Sequence, residues 1–398
     1  MNQPKSIIFI SYWGFNEGLT QATVLPHLQI LARSPHVGQI ILVTVERQSE
    51  MPLPQENVLG NKILVKPYKS NKKFNVLLTK MDDFIGLAVH LRQLVKIFSI
   101  DTIIARGAPA GNLAWRLHKK TGLPFYVESF EPHADYMLES AVWKKWDPRY
   151  WIQKWGEKQT KSWSSGLITV SDNYAKQLLK ENIDISKVKV VPCTVDISRF
   201  QFCEMDGKEI RAKHNIPGDA IVGINVGKYG SIYHDKEAFR LFARAFDYFT
   251  NYWQFFITPD IYEVKNFIKV FNLPLERCII LTLDHNEVPS YLSAADFAYA
   301  LIKATPAKKY CSPIKTGEYW ANGLPVIITE GIGDDSNIIH NSGWGAVWDA
   351  QEDSSDFLFQ QIDSILKNKS HRSNIQVLAT KYRDRALIEK AYRSYSII

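Results

Sequence analysis

The chain has 398 residues, 45% of them hydrophobic and 22% charged, and a formal net charge of +7. This composition is that of an ordinary globular protein and excludes extensive disorder, and the length suffices for about two domains with separate cores. Because no run of five or more Lys and Arg residues occurs, we expect no nucleic-acid partner and attribute the positive excess to phosphate-bearing ligands or an anionic surface.

Cysteine usage and apolar runs indicate the compartment. The four cysteines are scattered without metal-ligand spacing, which favours free thiols in a reducing environment. No charged leader, cleavage site or run of 18 apolar residues occurs, so neither a signal peptide nor a membrane span is expected. The sequence therefore predicts a cytoplasmic protein, and any membrane contact is expected to be peripheral and at the inner face.

Up to residue 200, short β-branched runs alternate with segments whose apolar residues follow helical spacing. The predicted strands are 7–10, 40–45, 63–65, 102–105, 125–127, 166–170 and 188–191. The predicted helices are 21–32, 81–98, 108–120 and 173–181. This alternation predicts a doubly wound parallel sheet that binds ligands at the carboxyl ends of its strands.

The pattern restarts after Phe200, where a polar passage that includes residues 206–208 precedes a new strand. The second series of predicted strands is 220–226, 253–257, 278–281 and 297–301, and the helices are 236–251, 261–271 and 288–295. We therefore predict an α/β protein with two Rossmann-like domains, residues 1–200 and 201–375, and a terminal segment, 376–398, that is helical from 384 onward.

The segment 311–329 reads as a loop, a short helix, a tight stop and a buried strand. Ser312 suits the N-cap and Pro313 the first helical position, so free amides and the positive helix end would converge on one anion, most naturally a phosphate. Glu318, about one and a half turns further along, is placed to accept hydrogen bonds from a ribose diol. An ordinary connection between a helix and a strand is the alternative.

This segment resembles the donor-site signature of the family 4 glycosyltransferases, the large retaining group with two facing Rossmann-like domains. Other segments fall in the order that this family shows: 164–171, 190–200, 226–230, 288–296 and 331–334. The resemblance implies the GT-B architecture with an interdomain cleft, an acceptor-binding first domain and a nucleotide-sugar-binding second domain. It also implies that the terminal helix crosses back to the first domain.

The family's chemistry requires cations beside the diphosphate from which the sugar departs. Gly227 and Lys228 follow the first strand of the second domain, where the family has a basic residue. Lys236 is a second candidate, and His234 is its rival because the intervening loop is longer than usual. We expect Lys228 and Lys236 to be catalytic and Gly227 and Lys228 to bind the nucleotide sugar; solvated loop lysines are the alternative.

The predicted helix after residue 311 carries the remaining donor contacts. Ser312 and Thr316 are expected to contact phosphate oxygens, with helix capping as the alternative for Ser312, and Lys315 is expected to bind the nucleotide sugar. Glu318 matches the second glutamate of the family's paired-glutamate motif. Tyr310 occupies the position of the first glutamate, which leaves the identity of the donor open. A Ser-Pro-x-Lys sequence before the second glutamate, as in 312–315, also resembles a subgroup of the family.

In the first domain, Gly14 and Gly18 lie in a loop after the first predicted strand, as in the family's glycine loop. Glycines permit close backbone approach, so both are expected to bind the nucleotide sugar; a simple turn is the alternative. Glu17, between them, is expected to bind the acceptor.

A second cluster of polar residues follows the predicted strand 125–127. The resemblance implies that His133 is catalytic through positioning the donor sugar, with a turn histidine as the alternative. Glu131 and Asp135 flank it and are expected to bind the acceptor. Arg106, after another strand, is a weaker candidate for an anion contact.

The segment 143–163 is unusually rich in Trp and in Lys or Arg. An interfacial helix would use both at an anionic membrane, and the acceptor would then be lipid-linked. The aromatic residues at 143, 146, 150 and 155 also follow helical spacing, so a buried aromatic face under a basic outer face is the plainer alternative.

The sequence thus predicts a retaining, hexosyl-type glycosyltransferase of surface polysaccharide or glycolipid biosynthesis. It would transfer a sugar from a nucleoside-diphosphate donor, UDP- or GDP-linked, to a glycan or lipid-linked acceptor. The resemblance implies no metal and no cofactor. A nucleotide-sugar epimerase or a phosphorylase on the same architecture, or a catalytically silent sugar-nucleotide or polysaccharide-binding protein, are the alternatives.

Overall fold

The computed structural model describes residues 3–47, 58–70, 76–351 and 355–398. The chain forms two compact units, the first comprising Met1–Pro192 with Arg385–Ile398 and the second Cys193–Asp384. The residues between 193 and 200, which the sequence analysis placed in the first domain, pack in the second unit. Val195 and Phe200 are buried in its core, and the Val195 amide donates to the Arg383 carbonyl oxygen over 2.9 Å.

The first unit contains nine described strands. They are β1 (Lys5–Ser11), β2 (Val37–Val43), β3 (Val45–Glu46), β4 (Ile63–Val65), β5 (Tyr68–Lys69), β6 (Thr102–Arg106), β7 (Phe125–Phe130), β8 (Gly166–Thr169) and β9 (Val188–Val190). Seven of them form a parallel sheet in the order β4-β2-β1-β6-β7-β8-β9, and β3 pairs with β5. The strand order reverses between β1 and β6, which is the topological switch point of this sheet.

Helices connect these strands. They are α1 (Leu25–Arg33), α2 (Val76–Ile97), α3 (Ala108–Thr121), α4 (His133–Glu139), α5 (Pro148–Trp163) and α6 (Asp172–Lys180). The last helix of the chain also belongs to this unit, and its Ile388 and Tyr392 lie in the same buried cluster as Ile7 and Phe9 of β1. Residues 385–398 are thereby held by the core of the first unit, whereas residues 376–384, which were predicted with them, belong to the second unit.

The second unit has six strands among its described residues. They are β10 (Ile221–Val226), β11 (Tyr252–Ile257), β12 (Cys278–Leu281), β13 (Phe297–Ala300), β14 (Val326–Thr329) and β15 (Gly345–Trp348). All pair in parallel, in the order β12-β11-β10-β13-β14-β15. The order reverses between β10 and β13, so the loops after these two strands flank the switch point.

The described residues of the second unit form eight helices, and α15 (Ala386–Ser394) is the terminal helix of the first unit. The eight are α7 (Glu204–Lys213), α8 (Lys236–Tyr248), α9 (Ile261–Val270), α10 (Val288–Ala294), α11 (Ile314–Asn322), α12 (Asp335–Ser342), α13 (Ser355–Leu366) and α14 (His371–Arg383). The prediction of two Rossmann-like α/β units with parallel, doubly wound sheets is confirmed.

Residues 206–208 of the polar passage lie within α7. The glycine there serves packing: a β-carbon on Gly207 would come within 2.5 Å of the Ser293 carbonyl oxygen in α10. Gly207 therefore allows α7 and α10 to pack closely, although a glycine among polar residues in a sequence often indicates a turn.

Candidate functional site

The switch point of the second sheet brings the start of α11 beside the end of β10. Gly227 follows β10 with a φ of +128°, a backbone conformation that favours glycine. The Tyr319 hydroxyl of α11 accepts a hydrogen bond from the Val226 amide over 3.1 Å, which ties the helix to the strand end. Ligands of open α/β sheets bind at this position.

Lys315 projects from the first turn of α11 toward Gly227. Its ammonium nitrogen lies 2.9 Å from the point where a β-carbon on Gly227 would stand, and 4.5 Å from the centre of the Tyr233 ring. Within the part of the chain that the structure describes, this ammonium has no hydrogen-bond acceptor and no ion-pair partner, although Glu318 acts on it at longer range. Burial lowers the pKa of Lys315 to about 8. A desolvated, unpaired cation at a strand end suits an anionic ligand.

The start of α11 differs from the prediction that Ser312 caps it and Pro313 is its first residue. The helix begins at Ile314, and Pro313 is the N-cap residue, without a side-chain cap. The Ser312 hydroxyl instead accepts from the Cys193 amide over 3.0 Å and from the Arg383 guanidinium. Among the described residues, no side-chain cap satisfies the first-turn amides of α11, which leaves them to face a ligand or solvent.

Arg383 and Asp335 form a buried ion pair behind this helix start, a pairing that no local sequence pattern indicates. Both Asp335 oxygens accept from the Arg383 guanidinium, over 2.5 and 2.6 Å. Burial raises the pKa of Asp335 to about 6, opposed by the charge of Arg383. Ser312 contacts Arg383 of this pair, which fixes the loop before α11.

Glu318 is almost fully buried and already holds a partner. Its Oε1 accepts from His285 Nε2 over 2.9 Å. The Arg199 guanidinium donates to His285 Nδ1 over 3.0 Å and to the His285 carbonyl oxygen over 2.7 Å. Because a guanidinium only donates, Nδ1 is the acceptor in this contact and Nε2 faces Glu318. His285 and Arg199 were missed, since no local pattern links them to Glu318.

The predicted catalytic lysines of the second unit are exposed. Lys228 directly follows Gly227, and Lys236 is the first residue of α8. The Asp235 carboxylate accepts a hydrogen bond from the backbone amide of Lys236. Neither ammonium has an ion-pair or hydrogen-bond partner among the described residues. His234, the rival of Lys236, packs its ring on Trp348 at 5.0 Å, and burial lowers its pKa.

Tyr310, at the position of the missing glutamate, ends a short 3-10 helix, Lys308–Tyr310. The Lys309 ammonium lies 4.9 Å from the centre of its ring. The site thus presents an aromatic side chain covered by a cation where the family has a carboxylate.

In the first unit, two carboxylates organise the loop after β1. Glu17 Oε1 accepts from the Gly14 amide over 2.8 Å, and Glu46 Oε1 accepts from the Phe15 amide over 2.9 Å. A β-carbon on Gly14 would approach Glu46 Oε2 to 2.9 Å, whereas Gly18 has open space around it. A side chain at position 14 would therefore have to displace the Glu46 carboxylate.

The segment after β7 begins at a bulge, where β7 and β8 change register. Ser129 adopts a φ of +49° there, an uncommon conformation for a residue with a β-carbon. His133 Nδ1 lies 3.6 Å from Glu131 Oε1, and its ring meets Trp143 edge-on at 5.8 Å. The structure thus brings His133 and Glu131 together.

Asp135 is engaged by α5. Its Oδ2 pairs with the Lys154 ammonium at 2.5 Å, and its Oδ1 accepts from the Tyr150 hydroxyl over 3.2 Å. Glu157 of the same helix accepts from the Ala134 amide over 2.9 Å, and burial raises the pKa of Glu157. α5 therefore fixes the start of α4.

A buried network joins the end of β6 to the terminal helix. Arg106 donates to His27 Nε2 over 3.0 Å and lies 3.3 Å from Glu128 Oε2, and the Tyr392 hydroxyl donates to Glu128 Oε1. Burial lowers the pKa of His27, while His27 and Arg106 hold that of Glu128 below its usual value against the opposing effect of burial. Arg106 is thus occupied in the core.

Comparison with known proteins supports the architecture. No protein-family model and no curated protein matches the sequence. HepE from Anabaena, solved in complex with UDP, is 12% identical with a TM-score of 0.72, over 99% of this chain and 100% of that one. A glycosyltransferase from Rickettsia africae is 17% identical with a TM-score of 0.67, over 100% and 99%. The chain has the GT-B fold.

A third similar structure is WaaG, a glycosyltransferase involved in lipopolysaccharide biosynthesis. It is 13% identical with a TM-score of 0.68, over 97% of this chain and 98% of that one. The resemblance found in the sequence is therefore confirmed at the level of the fold, along the whole chain.

Proposed function

We propose that the chain is a retaining family 4 glycosyltransferase that takes a sugar from a nucleoside diphosphate and transfers it to a glycan or lipid-linked acceptor. The observation that carries this proposal is the unpaired Lys315 ammonium beside Gly227 at the switch point of the second sheet. Departure of a nucleoside diphosphate concentrates negative charge, which a desolvated cation stabilises more strongly than a hydrated one.

Different residues around Lys315 would bind different parts of the donor. The first-turn amides of α11 and the Lys315 ammonium would bind the diphosphate. Glu318, on the same helix, keeps one carboxylate oxygen on His285 and would offer the other to the ribose diol. Lys228 and Lys236 would add charge as the bond to the sugar breaks.

We propose UDP as the nucleotide of first choice, because HepE, which shares the fold, was solved with UDP, with UDP and glucose, and with UDP-glucose. A role in surface polysaccharide or glycolipid assembly fits the similarity to WaaG and to WaaB, a lipopolysaccharide outer core galactosyltransferase. In the first unit, His133 would position the sugar, and Glu17, Glu131 and Asp135 would bind the acceptor.

A thermal-shift panel of UDP, GDP, ADP and dTDP sugars tests the proposal. Selective stabilisation by one donor, followed by slow hydrolysis of that donor, supports a glycosyltransferase. Stabilisation without hydrolysis in long incubations would favour a silent binding protein, and conversion of the donor to its epimer would favour an epimerase. No response to any of the four nucleotide classes would contradict the proposal.

Two assays address the mechanism. We propose same-face transfer, in which the leaving phosphate helps to deprotonate the acceptor, and no requirement for a metal. NMR analysis of the product anomer should show retention, and product of inverted configuration would exclude this route. Activity should persist in EDTA; abolition by EDTA with recovery on adding a divalent cation would overturn the metal-independent mechanism.

A further inference from the structure

The outward face of α5 is apolar and aromatic. Trp151, Ile152, Trp155 and Trp163 are each between 48% and 55% exposed, and Trp146, in the loop before the helix, is 76% exposed. Trp151, Ile152 and Trp155 follow the spacing of one helix stripe, so their exposed surfaces adjoin. The plainer alternative of a buried aromatic face is therefore wrong: of its four aromatic residues, only Tyr150 is buried.

The inward face of the same helix is polar, which explains its orientation. Gln153 accepts from the Asn112 side chain over 2.8 Å and donates to Glu157 over 3.0 Å, and Glu157 accepts from the Ala134 amide. A β-carbon on Gly156 would collide with Asn112. Because the buried polar groups need these partners, the helix cannot rotate its indoles into the core.

The exposed charged residues between 141 and 163 have one sign. Lys144, Lys145 and Lys158 are exposed, and only Asp147 and Glu157 are acidic between residues 141 and 163. Both carboxylates are buried. We call the exposed residues Lys144, Lys145, Trp146, Trp151, Ile152, Trp155, Lys158 and Trp163 the indole–lysine surface. It combines exposed apolar side chains with exposed cations, and no acidic residue between 141 and 163 is exposed.

We propose that the indole–lysine surface docks the protein on an anionic lipid bilayer. Indoles favour the interface between hydrocarbon and head groups, and lysines beside them are attracted to anionic lipid. An anionic bilayer complements the charge of this surface, whereas a second copy of this surface would oppose it with the same charge. No helix in the described ranges is long and apolar enough to cross a membrane, so the contact is peripheral.

Docking would also place the acceptor residues at the lipid surface, a step that rests on the proposed function. The other contacts of α5 and of the loop before it reach α4: Lys154 pairs with Asp135, and Trp143 contacts the His133 ring. A helix that lies on lipid therefore directly holds the residues proposed for acceptor and sugar. The substrate class that fits is a lipid-linked acceptor whose sugar projects from the bilayer.

Vesicle co-flotation tests the electrostatic part. The full-length protein should float with vesicles of phosphatidylcholine and phosphatidylglycerol, much less with phosphatidylcholine alone, and less at raised salt. Lys144→Glu, Lys145→Glu and Lys158→Glu together should reduce binding at least about tenfold. Lys154 is left intact because it pairs with Asp135. The matched control changes Lys265, Lys269 and Lys369, exposed residues of the second unit, to Glu and should bind as wild type.

A second pair of variants tests the apolar part. Trp146→Ser with Ile152→Ser should reduce flotation without changing the thermal midpoint, because both side chains are largely exposed. Tyr262→Ser with Val270→Ser, exposed residues of α9, is the matched control and should leave flotation unchanged.

Two outcomes would overturn the proposal: no flotation of wild-type protein on anionic vesicles, or equal losses for the test and control variants. If light scattering shows a dimer that Trp146→Ser with Ile152→Ser converts to a monomer, the occupant is a second copy and not a bilayer. Flotation needs no donor, so it can succeed where nucleotide binding fails. If both assays fail, the flotation result contradicts membrane docking and the nucleotide-binding result contradicts the proposed transferase function.

Discussion

The Lys315 ammonium lies 2.9 Å from the point that a β-carbon on Gly227 would occupy. The absence of that carbon lets a cation from α11 reach the backbone at the end of β10. The Tyr233 ring covers this ammonium at 4.5 Å, and burial disfavours its charge. The uncompensated positive charge therefore favours binding of an anion at this site. Predictions that follow from this charge do not depend on which sugar is transferred.

Lys315→Met should weaken UDP binding by roughly 10- to 100-fold, because a hydrogen bond from a charged donor contributes about 1.5–3 kcal/mol. Isothermal titration calorimetry measures the affinity. Folding should be unaffected or improved, since the ammonium has no anionic partner within the described part of the chain. Lys269→Met, an exposed lysine on α9, is the control. Equal affinity of wild type and Lys315→Met would mean that the diphosphate lies elsewhere.

Binding of UDP should be accompanied by proton uptake near pH 8. The pKa of Lys315 is lowered to about 8, so at that pH about half of the free molecules carry a neutral amine. A diphosphate beside it raises the pKa, and the amine takes up a proton. Affinity should fall as the pH rises above 8. Titrations in buffers of different ionisation enthalpy measure the uptake.

Lys315→Arg is the matched control for this effect, because a guanidinium remains charged throughout. It should bind UDP without proton uptake and with less dependence on pH. Uptake that persists in Lys315→Arg would assign the proton to another group.

Glu318→Gln should reduce the preference of the site for UDP over a nucleotide that lacks the ribose diol. The carboxylate accepts from His285, and its second oxygen can accept from a ribose hydroxyl, whereas an amide offers one acceptor in total. The wild type should bind UDP at least about tenfold more tightly than 2′,3′-dideoxy-UDP, and the variant should narrow this ratio. His285→Ala should preserve the ratio. A ratio unchanged in Glu318→Gln would remove the ribose assignment.

The predicted strands were recovered because parallel strands buried on both faces appear as unbroken β-branched runs. The run predicted at 102–105, for example, is β6, Thr102–Arg106. The N-cap preference of serine led to a wrong prediction at Ser312. A serine before a proline is typical of an N-cap, but its hydroxyl contacts Arg383, 71 residues away. Such long-range partners leave no periodic signal, and the same holds for His285 and Glu318.

The period of a pattern also does not show which face of a helix is covered. The spacing of Tyr150 and Trp155 indicated a helix, and the usual assumption buries the aromatic side. Here Asn112 and the Ala134 amide supply partners for the opposite, polar side. Hydrogen bonds from α3 and α4 determine which face of α5 is buried. These partners lie outside α5, so its own sequence does not reveal them.

The first unit should lose stability as the pH falls below about 6.5, the pKa of an unperturbed histidine. Burial lowers the pKa of His27 in the folded state, so the unfolded chain binds more protons in this range and stability rises with pH. Protonation would also place a hydrogen on Nε2, against Arg106. Urea unfolding at pH 7.5 and 5.5 should show this difference, and His27→Gln should diminish it. An undiminished difference would assign it to other histidines.

Asp335→Ala should destabilise the second unit by about 3–5 kcal/mol, because it leaves the Arg383 guanidinium buried without its carboxylate. The effect should spread to the site, since Arg383 also holds Ser312 and the Cys193 carbonyl oxygen. Asp363→Ala breaks an exposed ion pair with Lys367 and should cost much less, because solvent screens such pairs. Urea unfolding compares the two, and equal costs would show that the buried pair does not hold the start of α11.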